Sequence, residues 1–280
     1  MARRSRAGGR HPRPADARRR ADPPRQDRCP GPPAAGATYF VPDRDGSLLV
    51  YGTSGAGKST VLRTLAIVAG SDARTNVEVY ALDFGSGALK SLEILPQVGS
   101  VIAGDDAERV QRILRSLARV LDDRGKRFSA ANAASLTEYR ELTGIDEPRI
   151  LFLLDGFPQF RSEWESTTAR MPFYQTFMRI LGEGRPLGVH VVATADRSGS
   201  VPTAVSANVS RKVVLRLSDD SGYAMLNVPK DVLDERSAPG AGHRGRTGDA
   251  DRHAGRDAER RRADQAARGD GRRASCCRRP

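Results

Sequence analysis

The central part of this 280-residue sequence contains no cysteine. The three cysteines lie in the flanking segments, at Cys29, Cys276 and Cys277. Without cysteine, the central part can form neither a disulfide framework nor a metal site built from thiolates, and it suits a reducing cytoplasm. A Ser–His–Asp or Cys–His constellation is also missing, which argues against covalent hydrolase chemistry.

Long apolar runs are missing as well. No stretch approaches the roughly 20 consecutive apolar residues that span a bilayer, and the N-terminus has no apolar signal core. We therefore expect a cytoplasmic protein, which reaches the inner face of a membrane only through its partners.

Two flanking segments, residues 1–37 and 237–280, lack Leu, Ile, Val, Phe, Tyr, Trp and Lys altogether. The first holds ten Arg and three Asp, and the second holds twelve Arg and six acidic residues, so they carry +7 and +6. Because the whole chain carries +12, the segment 38–236 carries −1 and the high pI belongs to the flanks. Segments with so little apolar surface cannot offset chain entropy, and we expect both to be disordered.

Two interpretations of these basic flanks stay open. An Arg-rich tail is typical of nucleic-acid binding. A composition rich in Arg, Ala, Gly and Pro without Lys is also what a GC-rich gene yields in a wrong reading frame, and the change near Ser237 is abrupt. The expected organisation is one folded module at 38–236, between flanks that are either natural tails or translation artefacts of a fragment.

The folded module is organised around a phosphate-binding loop, Gly52–Ser59, which has the full G-x-x-x-x-G-K-[ST] spacing. Its glycines let backbone N–H groups turn toward phosphate oxygens, Lys58 is placed to reach the β- and γ-phosphates, and Ser59 is placed to bind Mg²⁺. The predicted nucleotide-binding residues are Gly52, Thr53, Ser54, Gly55, Ala56, Gly57, Lys58, Ser59 and Thr60.

Apolar runs alternate with helical patterns along the module. Strands are predicted at 47–51, 77–82, 98–102, 150–155, 188–194 and 212–217, and helices at 59–69, 105–128, 135–142 and 171–181. This alternation predicts an α/β fold with a mostly parallel sheet and helices on both faces. Ligands bind beyond the carboxyl ends of such strands, which places the phosphate loop, Asp83, Asp155 and Thr194 on one rim.

Asp155 directly follows the apolar residues Ile150–Leu154. A buried strand that ends in a carboxylate is typical of the Walker B motif, whose acid binds Mg²⁺ directly or through water. Capping of the following loop is the alternative role for Asp155. His190, which lies in an apolar strand, is expected to be a hydrogen-bonded core residue, and Trp164 is expected to pack in a loop.

Five stretches resemble the FtsK/SpoIIIE family of ring-forming ATPases, and more narrowly one ATPase module of the EccC-type motor of type VII (ESX) secretion. The D-F-G-x-G segment from Asp83, followed by L-P-x-V-G from Leu95, is the most specific to the secretion branch. The stretches are Tyr51–Thr60, Leu82–Gly87 with Leu92–Ser100, Glu108–Val110, Leu153–Gly156, and Gly188–Val191 through Arg197.

This resemblance implies a RecA-like core, ATP and Mg²⁺ as cofactors, and assembly with neighbouring ATPase modules or other copies of the chain. In the secretion branch it implies partners in a membrane secretion complex and small secreted helical proteins as substrates, whereas FtsK-type relatives move DNA. By the same resemblance, Thr194 matches a polar sensor at a strand end. Arg197 and Arg211 match arginines that face a neighbouring module's nucleotide, and anchoring of a loop is their alternative role.

One position departs from active members of the family. They carry an acid after the Walker B Asp that polarises the attacking water, and here that position is Gly156. Glu163 and Glu165 follow closely, but no spacing argument favours either as a substitute. Three hypotheses remain: a slowly or conditionally hydrolysing secretion module, a DNA translocase, and a non-catalytic docking module locked by nucleotide. The near-zero charge of 38–236 argues against DNA.

Overall fold

The structure, a computed structural model, describes residues 40–71, 75–218, 220–228 and 242–246. The predicted flank 1–37 lies outside the described residues, as does most of the flank 237–280. The expected disorder and the wrong-frame hypothesis for these segments therefore stay predictions.

The described part of the chain forms one seven-stranded sheet, in the order β3-β2-β4-β5-β1-β6-β7. Every neighbouring pair is parallel except β6 and β7. The strands are β1 (Leu48–Tyr51), β2 (Val77–Asp83), β3 (Val98–Ala103), β4 (Arg149–Asp155), β5 (Val189–Ala195), β6 (Arg211–Leu215) and β7 (Gly242–Arg246).

Helices connect the strands and cover both faces of the sheet. They are α1 (Pro42–Asp45), α2 (Lys58–Ala69), α3 (Ala107–Ala130), α4 (Leu136–Thr143), α5 (Phe157–Glu165), α6 (Met171–Glu183), α7 (Thr203–Ala207) and α8 (Asp220–Met225), with 3₁₀ turns at Lys90–Ile94 and Ser198–Ser200. The predicted RecA-like α/β fold is confirmed. None of the helices in the described ranges is long and apolar enough to cross a bilayer.

Alternate side chains of the strands enter two separate apolar layers. In β4, Phe152 and Leu154 pack with α3, α5 and α6 on one face, whereas Leu151 and Leu153 pack with α2 on the other. Because both faces of β4 are covered, the strand is a continuous apolar run rather than an alternating one. The same burial fixes the strand ends, and it therefore positions the residues that follow them.

Two helices, α3 and α4, begin at a residue whose side chain caps the first turn, and in α3 this residue differs from the one expected. The carboxylate of Asp106, and not that of Asp105, at which the predicted helix begins, accepts a hydrogen bond from the Arg109 N–H at the start of α3. Ser135 caps α4 by accepting from the Glu138 N–H. Both caps satisfy N–H groups that the first helical turn leaves without intrahelical partners.

Several regions depart from the predicted secondary structure, since the short helices α1, α7 and α8 were not predicted. Residues 157–165, expected to be a loop, form α5, and the side chain of Trp164 in this helix is fully buried. The five residues Gly242–Arg246, within a flank expected to be disordered, pair with β6 as an antiparallel strand. An edge strand such as β6 offers unpaired backbone groups, and pairing with them requires no apolar side chains.

Candidate functional site

The carboxyl ends of the central strands gather the polar residues named from the sequence. Asp83 and Asp155 end the neighbouring strands β2 and β4 and lie opposite each other in register. Thr194 lies one residue before the end of β5, opposite Val50 of β1, whose own end leads into the phosphate loop. The topology thus brings four distant segments of the sequence to one rim.

The backbone of the phosphate loop explains its glycines. Gly55 and Gly57 have φ values of +75° and +105°, a region in which side-chain-bearing residues are strained. At Gly52 a Cβ would come within 3.0 Å of the Leu215 Cβ, so the loop also packs tightly against β6. The buried Ala56 anchors the turn, and α2 begins directly after it at Lys58. This geometry fits a phosphate cradle at a helix N-terminus.

The Lys58 ammonium group is held inside its own loop. Its Nζ donates to the carbonyl oxygens of Gly52 and Thr53, at 2.7 and 3.0 Å. It also lies 3.5 Å from a carboxylate oxygen of Asp196, the first residue after β5. Sequence reasoning did not identify Asp196, although the signal was available as an acid placed directly after an apolar strand.

Ser59 and Asp155 form a direct hydrogen bond at the start of α2. The Ser59 hydroxyl donates to Asp155 Oδ2 at 2.5 Å, and the Thr194 hydroxyl donates to Asp155 Oδ1 at 2.6 Å. The Thr194 oxygen in turn accepts from the Gly156 N–H at 2.8 Å. Asp155 is only 3% exposed, so these contacts orient both of its oxygens.

The chemistry of this pair suits Mg²⁺. Hydroxyl and carboxylate oxygens are the hard ligands that Mg²⁺ prefers, and Mg²⁺ usually takes its other ligands from water and substrate phosphates. Within the described ranges no group of three or more His, Cys, Asp or Glu side chains could hold a metal ion by itself. The residues therefore fit a metal that arrives together with a nucleotide.

A cleft of about 670 Å³ opens in front of this pair, within the range of small-molecule and cofactor sites. It is lined by Ser54, Gly55, Gly57, Lys58, Ser59, Thr60, Arg63, Phe84, Gly85, Ser86, Ala88, Asp155, Gly156, Pro158, Gln159 and Asp196. Arg63, one helical turn after Ser59 on α2, and Gln159, in the first turn of α5, were not identified from the sequence. The four-residue spacing from Ser59 was the available signal for Arg63.

Asp83 does not line the cleft but holds the loop that borders it. Its carboxylate accepts hydrogen bonds from the backbone N–H groups of Gly85, Gly87 and Leu89, at 3.0, 3.2 and 2.9 Å. The D-F-G-x-G segment is therefore a loop built around the Asp83 side chain, and it borders the cleft through Phe84–Ala88.

The two candidate arginines occupy different edges of the sheet. Arg197 lines a second cleft of about 560 Å³ next to Lys58, together with Thr53, Ser54, Asp196 and Ser218. Arg211 begins β6 opposite Leu48, at the amino edge of the sheet, where it is 3% exposed and lies 3.3 Å from Asp45. Its guanidinium is thus buried at the edge of the sheet far from the clefts, which favours the alternative role of anchoring; a role toward a neighbouring module's nucleotide stays a prediction.

Neither glutamate of α5 reaches the position of the missing acid. Glu163 accepts from Gln159 Nε2 at 2.7 Å, and Glu165 is paired with Arg161. Both lie outside the residues that line the two clefts. Gly156 itself lines the larger cleft, with φ at +83°.

Two buried ring nitrogens have no hydrogen-bond partner among the described residues. His190 Nδ1 contacts the Gly46 carbonyl oxygen at 3.1 Å, but its Nε2 has no hydrogen-bond partner among the described residues and lies 3.8 Å from Asp43. Burial lowers the pKa of His190 to about 4, so the ring is neutral near pH 7. Trp164 stacks on Phe160, and its Nε1 likewise has no partner within the described ranges.

Comparison with known proteins gives a consistent result. The model of the FtsK/SpoIIIE family matches residues 34–240. The ESX-1 secretion system protein EccCb1 of Mycolicibacterium smegmatis is 31% identical over 198 residues, which is 67% of this chain and 32% of that protein. The residues matched by the family model include the six parallel strands, the phosphate loop and Asp155.

Two solved structures share the fold. EssC (ATPases 2 and 3) from Geobacillus thermodenitrificans has a TM-score of 0.64 and 23% identity, covering 73% of this chain and 38% of that one. Thermomonospora curvata EccC (ATPases 2 and 3), solved in complex with a signal sequence peptide, has a TM-score of 0.58 and 26% identity, covering 72% of this chain and 38% of that one. The chain thus spans about a third of the length of these similar proteins.

Proposed function

The chain belongs to the FtsK/SpoIIIE family, and we propose that it is a nucleotide-binding ATPase module of a type VII secretion motor that binds ATP with Mg²⁺ and hydrolyses it slowly or conditionally. The observation that carries this proposal is the Ser59–Asp155 hydrogen bond in front of an intact phosphate loop. This hydrogen bond brings the phosphate-binding loop next to a carboxylate that can bind Mg²⁺, at the carboxyl edge of the sheet.

Each group has a distinct role in binding. The backbone of Gly52–Ser59 and the Lys58 ammonium hold the phosphates. Ser59 and Asp155 hold Mg²⁺, which when bound neutralises charge on the β- and γ-phosphates. Thr194 keeps the Asp155 carboxylate oriented, since its hydroxyl donates to one carboxylate oxygen and accepts from the Gly156 N–H. Arg197 borders the chain's own phosphate loop, so we assign it to the same nucleotide rather than to a neighbour's.

The presence of glycine at position 156 is the argument for a slow rate of hydrolysis. A positioned general base typically contributes about 10²–10⁴ in rate, and residue 156 has no side chain to provide one. The same observation favours a second candidate, a non-catalytic docking module that nucleotide locks to its neighbours. The signal peptide bound to Thermomonospora curvata EccC (ATPases 2 and 3) supports secreted helical proteins as the class of ligand in either case.

The family to which the chain belongs supports a proposal for its partners. We propose neighbouring ATPase modules or further copies of this chain, together with subunits of a membrane secretion complex that hold the module at the inner face of the membrane. DNA is the less favoured polymer, because backbone binding requires many Lys and Arg contacts and the segment 38–236 carries a net charge of −1.

The change Lys58→Ala tests nucleotide binding. Titration calorimetry of the full chain with ATP and Mg²⁺ is expected to show a loss of at least about 100-fold in affinity, because the ammonium group is a direct phosphate contact. The circular dichroism spectrum is expected to stay unchanged. Lys126→Ala, on the exposed face of α3, serves as the control with wild-type affinity.

Binding of ATP by Lys58→Ala with wild-type affinity would refute the loop assignment. Turnover then separates the candidate functions. Rates of a fully active motor would exclude the docking module, whereas a salt-dependent gel shift with double-stranded DNA would favour translocation of DNA.

A further inference from the structure

The residue after Asp155 is held in a left-handed backbone conformation that favours glycine. Gly156 has φ +83° and ψ +51°, and it forms the N-cap of α5. A Cβ at this position would lie 3.0 Å from both the carbonyl carbon and the carbonyl oxygen of Phe84, and 3.3 Å from the Gly85 nitrogen. Backbone conformation and available space therefore both oppose any side chain at residue 156.

The obstructing backbone is the start of the loop Phe84–Leu89, called here the 84–89 loop. The Phe84 N–H donates to the Asp155 carbonyl oxygen at 2.9 Å, which extends the pairing of β2 and β4 beyond the strand ends. Gly85 lies just as close to the site, since a Cβ there would be 3.2 Å from Asp155 Oδ2. Two glycines thus allow the 84–89 loop to lie directly against the residues around the proposed metal ligand.

The 84–89 loop is anchored at several points and cannot shift easily. The buried Asp83 carboxylate accepts hydrogen bonds from three of its backbone N–H groups. The Phe84 ring packs edge-on against Phe160 of α5 at 5.3 Å between ring centres, and Leu89 is fully buried on the opposite face of the sheet. A displacement large enough to admit a side chain at residue 156 would break several of these contacts together.

We propose that the 84–89 loop occupies the space that a water-activating acid after Asp155 would need, so that glycine at residue 156 is a structural requirement of this module. The chain has close backbone packing beside the metal ligand in place of a general base. A single substitution that supplies the acid therefore does not restore hydrolysis. This proposal rests on the proposed function only where it concerns ATP; the packing itself is independent of nucleotide.

Thermal unfolding of nucleotide-free full-length protein tests the packing. Gly156→Ala is compared with Gly144→Ala, because Gly144 also has positive φ, at +70°, but a Cβ there would meet no atom within 4 Å. Gly144→Ala carries only the backbone strain and is expected to lower Tm by about 3 °C. Gly156→Ala carries the same strain plus the contact with Phe84, and a decrease of at least about 6 °C is expected.

Hydrolysis of ATP by Gly156→Glu, at saturating ATP and Mg²⁺, tests the consequence. The turnover number is expected not to rise above that of wild type, whereas a correctly placed general base would raise it by about 10² or more. Equal Tm decreases for the two alanine variants would overturn the proposal. So would a folded Gly156→Glu protein that hydrolyses ATP at least tenfold faster than wild type.

These outcomes are separable from failure of the proposed function. If wild-type protein binds no ATP in calorimetry, the proposed function is wrong, yet the two Tm values still decide whether the 84–89 loop excludes a side chain at residue 156. If Gly156→Glu does not fold, the alanine pair gives the same decision.

Discussion

At the scale of single residues, a carboxylate from outside the phosphate loop lies beside the lysine of that loop. Lys58 is satisfied by two carbonyl oxygens of the loop and by the Asp196 carboxylate 3.5 Å away. A phosphate group that binds Lys58 has to displace that carboxylate or lie beside it, and two negative charges so close repel each other. We therefore expect Asp196 to weaken the binding of nucleotide.

Asp196→Asn is expected to lower the Kd for ATP. The side chain of Asp196 is 68% exposed, so solvent screens the pair, and an effect of about fivefold corresponds to the upper end for exposed ion pairs, ~1 kcal/mol. The matched control is Asp146→Asn, because Asp146 is also 68% exposed and lies 3.5 Å from Arg140. Unchanged affinity with reduced turnover would instead place Asp196 near the attacking water.

At the scale of elements, the long helix α3 is fastened to the sheet by a buried arginine. Arg124 is 1% exposed and donates to Glu147 Oε1 at 3.0 Å, to the Leu187 carbonyl at 2.8 Å and to the Pro148 carbonyl at 2.6 Å. These partners precede β4 and β5, so a single side chain links the helix to the starts of both strands. Burial lowers the pKa of Arg124, and the neighbouring carboxylate of Glu147 opposes that effect.

Arg124→Ala is expected to reduce the free energy of unfolding by about 2–4 kcal/mol, because it leaves the Pro148 and Leu187 carbonyls without this donor, whereas Glu147 keeps its pair with Arg127. Urea denaturation of the full chain measures this loss. Arg119→Ala on the exposed face of the same helix is the control and is expected to change stability by less than about 0.5 kcal/mol. Similar values for both variants would show that the buried network contributes little.

At the scale of the whole molecule, the two edges of the sheet have different chemistry. The carboxyl edge holds the two clefts beside the phosphate loop, whereas the amino edge holds a cluster of paired charges. There Asp43 pairs with Arg149, Asp45 pairs with Arg211, and His190 lies between them and the core. The cluster fixes the amino ends of β4, β5 and β6 and thereby supports the positions of the functional ends.

Because His190 is buried in its neutral form, we expect the free energy of unfolding to decrease at acidic pH. Its pKa is about 4 in the folded state against 6.5 for an exposed histidine, so the unfolded chain binds one more proton between these values. The contribution of His190 to the free energy of unfolding is therefore constant above about pH 6.5. As the pH decreases from 6.5 to 4, the free energy of unfolding falls by roughly 3 kcal/mol in total. Hydrogen bonds from Arg149 and Thr137 lower the pKa of Asp43 although burial opposes them, which adds a loss at still lower pH.

Unfolding free energies measured at several pH values between 7 and 4.5 check this expectation. His190→Asn keeps an amide near the position of Nδ1 but does not titrate. Its stability is expected to change less steeply with pH, by up to one proton per molecule, than that of the wild type. Parallel curves for the two proteins would mean that His190 is not the group responsible.

The sequence was sufficient for those parts of the fold that local patterns determine. The apolar run that ends at Asp155 and the glycine spacing of the phosphate loop predicted a strand and a turn because burial on both faces and positive φ each leave a direct signature in residue type. Helix α5 was missed because its apolar side chains, including Trp164, lie near a proline and between charged residues, and only packing against α6 stabilises them as a helix.

The sequence by itself determined the strands β1 to β6, the helices α2, α3, α4 and α6, the phosphate loop and the acid that ends β4, since each depends on neighbours within one or two turns of chain. Only the tertiary structure decided which arginine lies at which edge, that Asp196 contacts Lys58, and that a Cβ at residue 156 would lie 3.0 Å from the Phe84 carbonyl group. These facts join residues separated by as many as 166 positions, such as Asp45 and Arg211, through strand pairing. Such contacts are fixed by register and packing, and no local pattern encodes them.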